Sequence, residues 1–187
     1  MRRGRIGAAV LLCATALSAQ SPPDWAAADR ATRRLAPSAF PSLPAAIRAD
    51  LTRRGCTVPQ TYMAKAPANV IRGHFFGTKS EDWAVLCSRQ RISAILVYRN
   101  GAATPAVELA RDADAGYLQT IDGIGTIGFS RDISTASPEQ IRKYQDRLPK
   151  PLLAAIDYDG IEDAFIGKAS QVRYFTNGKW IVVPGAD

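Results

Sequence analysis

Apolar residues at helical spacing mark the first strong element of the chain. Leu43, Ile47 and Leu51 follow one another at i, i+4 and i+8, which places them on one face of a helix. Ser42 precedes them and has the short hydroxyl side chain that commonly caps a helix N-terminus. The pattern predicts an amphipathic helix over 43–54.

Between 57 and 135 the apolar residues form short continuous or alternating runs, as in β-strands. The run "ISAILVYRNG" ends at Asn100-Gly101, and "QVRYFTNGKW" contains Asn177-Gly178. Asn-Gly between strand-like runs is typical of a two-residue hairpin turn, because both residues tolerate positive φ. We therefore expect antiparallel strands that follow one another along the chain as meanders.

A second helix is predicted over 138–147. Ser137 is suited to the N-cap, Pro138 to the first helical position, and Gln140 completes the spacing of a capping box. The predicted fold class is α+β, mostly β, with antiparallel meander sheets built from two similar hairpin units. One domain over 42–187 would hold these sheets, an N-terminal helix and one further helix.

The first 18 residues have the pattern of an export signal. Three arginines precede a run of twelve apolar residues over 6–17, and Ala16 and Ser18 are small residues suited to signal peptidase. A twelve-residue helix extends about 18 Å, whereas a bilayer core is about 30 Å thick. We predict that residues 1–18 are cleaved from a periplasmic or secreted protein; an uncleaved anchor is the weaker alternative.

Residues 19–41 are rich in alanine, arginine and proline. Asp24 is placed to cap a short helix that would run to Arg34 and end before Pro37. Since the apolar face of this helix would consist mostly of alanine, we expect a loosely held arm.

The chain has 24 Lys and Arg against 17 Asp and Glu, a net charge of +7. Loss of the three signal arginines leaves 21 basic residues and a net charge of +4. This excess is spread along the chain, whereas a nucleic-acid-binding protein has a dense basic face with aromatic residues for stacking. We expect no nucleic-acid partner, and no stable membrane span after signal cleavage.

Signal cleavage would remove Cys13 and leave Cys56 and Cys87. An even pair of cysteines in an exported chain predicts a disulfide, which is worth about 3–4 kcal/mol for a loop of about 31 residues. Two reduced, buried thiols are the alternative. His74 is the only histidine, which argues against a zinc site and against a histidine base.

Two stretches share an order of residue types: "HFFGTKSEDWAVLCSRQRISAILVYRNG" and "IDYDGIEDAFIGKASQVRYFTNGKW". Each has an aromatic residue, a glycine, an acidic pair, an apolar strand, and a second strand whose aromatic residue precedes Asn-Gly. Glu81-Asp82 in the first stretch corresponds to Glu162-Asp163 in the second. We interpret the match as an internal repeat; the alternative is two ordinary hairpins that share turn chemistry.

Each stretch resembles one unit of the FG-GAP, or integrin-type, β-propeller repeat, whose acidic loop binds calcium. The resemblance covers about 55 of 187 residues. It implies a weak Ca²⁺ site in which Asp157, Asp159 and Asp163 provide carboxylates and Ile161 provides its carbonyl. Ala155 stands where the family has its first ligand, and two units are too few to close a propeller. The alternative is an acidic turn that binds no ion and a protein without cofactor.

The predicted function is an exported, non-catalytic binding or structural module that recognises a protein or a glycan. Tyr98, Tyr174 and Trp180 are the strand aromatics that we expect to form its ligand surface. A small secreted hydrolase with a carboxylate pair is the alternative, and a periplasmic inhibitor is a third. An enzyme would show a cleft with two acids of perturbed pKa, whereas a binding module would show exposed aromatic surface. The acids available for a pair are Asp82, Asp122, Asp159, Glu162 and Asp163.

Overall fold

The computed structural model of the chain describes residues 22–103 and 106–186. The predicted signal peptide, including Cys13, lies outside these residues. The described residues contain three α-helices: α1 (Trp25–Ala31), α2 (Ala45–Arg53) and α3 (Pro138–Gln145). No helix in these two ranges is long and apolar enough to cross a bilayer.

Twelve strands in four antiparallel sheets are present in the described part of the chain. In chain order they are β1 (Arg34–Leu35), β2 (Val58–Pro59), β3 (Val70–Gly73), β4 (Asp82–Arg89), β5 (Ile92–Tyr98), β6 (Val107–Ala113), β7 (Leu118–Thr120), β8 (Ile127–Phe129), β9 (Arg131–Ala136), β10 (Gly160–Phe165), β11 (Ala169–Thr176) and β12 (Lys179–Pro184). Sheet 1 has the order β3-β4-β5-β6 and sheet 2 the order β12-β11-β10-β9. These two meanders confirm the predicted α+β, mostly β fold.

Both Asn-Gly pairs follow a strand, but only Asn177-Gly178 forms the predicted two-residue hairpin turn; at Asn100-Gly101 the prediction is wrong, because the next strand begins only at Val107. Asn177 and Gly178 have φ of 49° and 77° and join β11 to β12. Asn100 and Gly101 have φ of 49° and 68° and begin the connection from β5 to β6. The two similar stretches form the central hairpins of the sheets, β4–β5 and β10–β11. That they form a repeat stays a prediction.

Because side chains alternate between the two faces of a strand, each sheet packs against a helix on one face and against the other sheet on its opposite face. The result is four layers in the order helix, sheet, sheet, helix. In β4, Val85 and Cys87 face α2, whereas Ala84 and Leu86 face sheet 2. The core between α2 and sheet 1 includes Phe40, Leu43, Ile47, Leu51, Val85, Cys87, Leu96 and Tyr98. The core between the sheets includes Phe75, Ala84, Leu86, Ile95, Val97, Phe129, Ile133 and Ile161. The core between sheet 2 and α3 includes Ala136, Ile141, Leu153, Ile156, Val172, Tyr174 and Val183.

Asn69 connects the two sheets at their adjoining edges. It is buried and has a left-handed φ of 67°. Its Nδ2 donates to the carbonyl oxygens of Pro59 at 2.8 Å and Arg131 at 3.2 Å, and its Oδ1 accepts from Ile133 N at 2.9 Å. Because buried backbone groups need partners, one amide side chain here replaces hydrogen bonds that strand pairing would otherwise make.

Two of the predicted helix caps are present. The Asp24 carboxylate accepts from Ala27 N at 2.8 Å at the start of α1. The Ser137 hydroxyl accepts from Gln140 N at 3.2 Å at the start of α3. Each bond satisfies an N–H that has no partner within the helix.

Other helix boundaries differ from the prediction. The first helix ends at Ala31 and not at Arg34, because Arg34 and Leu35 pair with β2. The N-cap of α2 is Pro44, without a side-chain hydrogen bond, so the cap assigned to Ser42 is wrong. The third helix ends at Gln145, two residues before the predicted end at 147.

The segment that we expected to be a loose arm is held to the sheet by ion pairs. Arg34 Nη2 lies 2.6 Å from Asp29 Oδ1 and 2.8 Å from Asp114 Oδ2. Asp114 is fully buried and also accepts from the Ser88 hydroxyl at 2.6 Å. Arg34 therefore fastens the N-terminal segment to the end of sheet 1, a contact that composition alone does not reveal.

Candidate functional site

The β10–β11 hairpin borders an open cavity of about 250 Å³, which we call the hairpin cleft. Its lining residues are Tyr117, Asp163, Phe165, Ala169, Ser170, Gln171 and Arg173. Tyr117 precedes β7, and all the others belong to the hairpin. The cleft thus combines aromatic rings with charged and amide side chains.

Strand alternation brings the polar side chains of the cleft to one face of sheet 2. Asp163 and Phe165 are two residues apart in β10, so they point to the same face. Asp163 is directly opposite Gln171 in β11, and Arg173 follows two residues later on that face. It is the face that packs toward sheet 1, since Ile161 lies in the core between the sheets.

A fully buried arginine lies behind the cleft. Arg131 Nε and Nη2 donate to the two carboxylate oxygens of Asp163, each at 2.9 Å. Nη1 donates to Ser93 Oγ at 2.9 Å and to Ser93 O at 3.3 Å, and Nη2 also donates to Ala110 O at 2.6 Å. Every N–H of this guanidinium has an acceptor, and the negative charge of Asp163 offsets the cost of burying the positive charge. The hydrogen bonds of Arg131 therefore stabilise the fold.

Arg173 differs from Arg131 in having an unused donor. Its Nε is buried and has no hydrogen-bond partner. Its Nη2 lies 3.6 Å from Asp163 Oδ2, an ion pair beyond hydrogen-bond distance. Asp163 makes its close hydrogen bonds with Arg131, so Arg173, which lines the hairpin cleft, is bonded less completely.

Two aromatic rings form the apolar part of the cleft. The ring centroids of Tyr117 and Phe165 lie 5.5 Å apart at an interplanar angle of 44°. The Arg131 guanidinium carbon lies 4.5 Å from the Tyr117 centroid, and Lys168 Nζ lies 3.9 Å from the Phe165 centroid. These contacts fix both rings, and burial raises the pKa of Tyr117.

The other face of the same hairpin borders a second cavity of about 310 Å³, the acidic cavity, which includes Glu162, Ser134 and Ser170. Glu162 is 8% exposed and accepts from the Gln140 amide at 2.7 Å, the Tyr144 hydroxyl at 3.0 Å and the Ser170 hydroxyl at 2.6 Å. Asp132 lies on the same face in β9. Burial, followed by the negative charge of Glu162, raises the pKa of Asp132.

A larger open cavity of about 620 Å³ lies between Pro22–Pro23 and the loop over 120–125. Its carboxylate, Asp122, accepts from the backbone N–H groups of Ile124 and Thr126 at 3.0 and 2.9 Å. Hydrogen bonds from Thr126 lower the pKa of Asp122. This geometry is that of an Asx-type turn, so the carboxylate is used within its own loop.

The residues predicted as calcium ligands do not converge. Asp163 is held by Arg131, and Asp159 accepts from His74 N at 2.9 Å. Ile161 is buried within β10, a strand paired on both sides, and the exposed Asp157 lies before that strand. Within 22–103 and 106–186, no three His, Cys, Asp or Glu side chains form a group able to hold a metal. The acidic turn is the interpretation that fits this geometry.

The predicted aromatic ligand surface is wrong for two of its three residues. Tyr98 is 0% exposed and donates to Asp50 Oδ2 at 3.0 Å, and Tyr174 is 1% exposed. Trp180 is half-buried, with its ring centroid 5.4 Å from that of Phe76 and 5.5 Å from that of Phe175. The inward-facing register of β5 and β11 places the two tyrosines in the cores against α2 and α3.

The predicted disulfide is confirmed. Cys56 and Cys87 are bonded, with their Cα atoms 5.2 Å apart. Cys56 follows α2 and Cys87 lies in β4, so the bond fastens the helix layer to sheet 1.

Four of the five acids that the sequence suggested for a catalytic pair, namely Asp82, Asp122, Asp159 and Asp163, make hydrogen bonds within the fold. Asp82 is fully buried and accepts from the backbone N–H groups of Phe76 and Asn100, each at 2.9 Å. It therefore positions the turn at the end of β5. Glu162 is the predicted acid with a second acid close by, and that second acid, Asp132, was missed.

Sequence reasoning also missed Tyr117, Phe165 and Arg173. The available signal was the alternation of Ile161, Asp163 and Phe165, which predicts that an aromatic ring and a carboxylate share a face. Searches of family models, of curated proteins and of solved structures found no match to the chain. Function must therefore be inferred from the side chains around the hairpin cleft and the acidic cavity.

Proposed function

We propose that this chain is an exported, non-catalytic binding module whose hairpin cleft takes one sugar residue of a glycan. The observation that carries the proposal is the combination of two half-buried rings, Tyr117 and Phe165, with the hydrogen-bonding side chains of Gln171 and Arg173 in one cavity. A sugar has apolar C–H surfaces that pack on aromatic rings and hydroxyl groups that pair with such side chains.

The size of the cleft favours a glycan over a folded protein partner. Its volume of about 250 Å³ is slightly below the range of about 300–1,000 Å³ typical of small-molecule pockets. It therefore suits one ring of an extended ligand. A stable protein partner would instead require contact over about 1,000 Å² or more.

Export is part of the same proposal. The Cys56–Cys87 disulfide is a bond that persists mainly in oxidising compartments, and it agrees with the predicted signal peptide. Expression of the full chain in a bacterium, followed by mass measurement of the periplasmic fraction, tests this part. We expect a product lacking residues 1–18; an uncleaved cytoplasmic product would contradict export.

Retention on immobilised polysaccharides tests the binding site. Chitin, peptidoglycan, pectate and alginate are suitable supports, with Phe165→Ala as the test variant and Phe175→Ala as its matched control. Both residues are half-buried phenylalanines on the same face of sheet 2, but only Phe165 lines the hairpin cleft. We expect Phe165→Ala to weaken retention about 10-fold or more, since a buried phenylalanine contributes about 1.5–3 kcal/mol. Equal retention of both variants would contradict this location.

A second candidate function, a carboxylate-pair hydrolase, is favoured by one observation on the sheet face that borders the acidic cavity. Asp132 has a raised pKa, with burial and the nearby Glu162 as its causes, and Glu162 accepts three hydrogen bonds. A carboxyl of raised pKa beside a second carboxyl is an arrangement that glycoside hydrolases use. Release of reducing sugar from the same polysaccharides, lost in Asp132→Asn, would favour this candidate over the binding module.

A further inference from the structure

Arg173 has an ion pair with Asp163 at 3.6 Å and is hydrogen-bonded less completely than Arg131. Its side chain is only 15% exposed, and its Nε is buried without an acceptor. Arg131 is the internal comparison, because it is more deeply buried yet uses all its donors. A buried donor without a partner is costly, and Arg173 lines the hairpin cleft, so an acceptor that binds in the cleft beside this guanidinium would be stabilising.

The charges around the hairpin cleft favour an anionic acceptor. The negative charge of Asp163 is matched by Arg131 through two hydrogen bonds of 2.9 Å. Arg173 adds a second positive charge, and Lys168 Nζ lies near the Phe165 ring. Asp112 is a second acid near Arg131. It is exposed, and its carboxylate accepts a hydrogen bond from Ala113 N at 2.7 Å. Three basic side chains, those of Arg131, Arg173 and Lys168, therefore lie near two acids, which leaves an excess of positive charge around the cleft.

We propose that the hairpin cleft recognises a carboxylate group on the sugar, and that the guanidinium of Arg173 binds this carboxylate. The planar fork of a guanidinium pairs with two carboxylate oxygens, a geometry that a single hydroxyl cannot use. Phe165 and Tyr117 then contact the sugar ring, and Gln171 lies at the exposed rim. The inference rests on the proposed function and narrows its ligand class to uronic-acid glycans.

Titration calorimetry with matched ligands tests the inference. Oligogalacturonate and oligoglucuronate carry the carboxylate, and their methyl esters keep the sugar but lack the charge. We expect at least one acid to bind about 10- to 100-fold more tightly than its ester, the range for a hydrogen bond to a charged group. Equal binding of acid and ester, lost in Phe165→Ala, would overturn the inference and leave glycan binding intact. Absence of binding to every oligosaccharide would overturn both.

Two sets of variants locate the contact. Arg173→Met is expected to reduce binding of the acid to the level of the ester, with its unfolding midpoint measured as a check on folding. Gln171 is exposed, so Gln171→Glu tests the charge without disturbing the core. Because Gln171 also faces the sugar, each variant is compared by its ratio of acid to ester binding: we expect Gln171→Glu to lower this ratio about 5-fold and Gln171→Lys to raise it. Binding of acetyl-trialanine as tight as that of the sugar acid would assign the carboxylate to a peptide and contradict the inference.

Discussion

Arg131 and Asp163 form a two-bond ion pair in the interior, with side-chain exposures of 0% and 5%. Asp163 lies in β10 and Arg131 in β9, and the same guanidinium reaches Ser93 in β5. One side chain therefore connects both sheets. Asp163 makes its close hydrogen bonds with Arg131 and only a 3.6 Å ion pair with Arg173, which is the basis of the proposed ligand specificity.

Replacement of Arg131 by methionine should destabilise the fold strongly. The change leaves a buried carboxylate without its main partner, which costs about 3–5 kcal/mol. Urea unfolding measures the loss. Arg111→Met is the matched control: Arg111 is 56% exposed and pairs with Glu108 on the surface, so its loss should be about 0.5 kcal/mol or less. Similar losses for the two variants would show that the buried pair is not important for stability.

The disulfide should contribute about 3 kcal/mol to the free energy of unfolding, since it closes a loop between residues 31 apart. Urea unfolding of the Cys56→Ala/Cys87→Ala variant checks this value, and mass measurement before and after reduction checks the bond. Two free thiols in the untreated exported protein would contradict the bond. An unchanged unfolding midpoint in the variant would contradict its contribution.

Asn69→Ala should be more damaging than the same substitution at Asn177. Both asparagines have left-handed φ, 67° and 49°, so alanine costs about 1–2 kcal/mol at each position from backbone strain. Asn69 also makes three buried hydrogen bonds, each worth about 1 kcal/mol. We expect urea unfolding to show an extra loss of about 3 kcal/mol for Asn69→Ala. Equal losses would mean that its side-chain bonds do not join the sheets.

Asp132 gives a pH dependence of stability with a definite sign. Its pKa is raised above 3.8 in the folded protein, so the folded state holds this proton more tightly than the unfolded chain. The resulting stabilisation is fully present below pH 3.8 and is lost as the pH rises through the folded pKa. Asp132→Asn should therefore be more stable than the parent protein at pH 7, with a difference that shrinks toward pH 3. A difference that is constant with pH would contradict the raised pKa.

The fold was largely predictable because its signals are local. The helix N-caps at Asp24 and Ser137 and the turn at Asn177-Gly178 depend on residues close together in the chain. The disulfide was predictable from the number of cysteines, since the predicted signal cleavage leaves only two of them to pair.

The candidate site was less predictable because it depends on register between distant strands. Tyr98 and Tyr174 look like surface aromatics in the sequence, but the inward face of each strand is fixed only when helices pack on it. Arg131 and Asp163 are 32 residues apart and meet only through pairing of β9 with β10. Their pairing turned a predicted calcium ligand into the partner of an arginine, a result that no local pattern indicates.

Backbone amide NMR of the labelled mature protein, titrated with oligosaccharides of the retained polysaccharide, tests the central claim most directly. We predict that the largest chemical-shift changes occur at Tyr117 and over 163–173, with smaller changes around Asp132 and Ser134 on the opposite face. Changes centred on Asp132 and Glu162, or no changes at saturating ligand, would contradict a glycan site in the hairpin cleft.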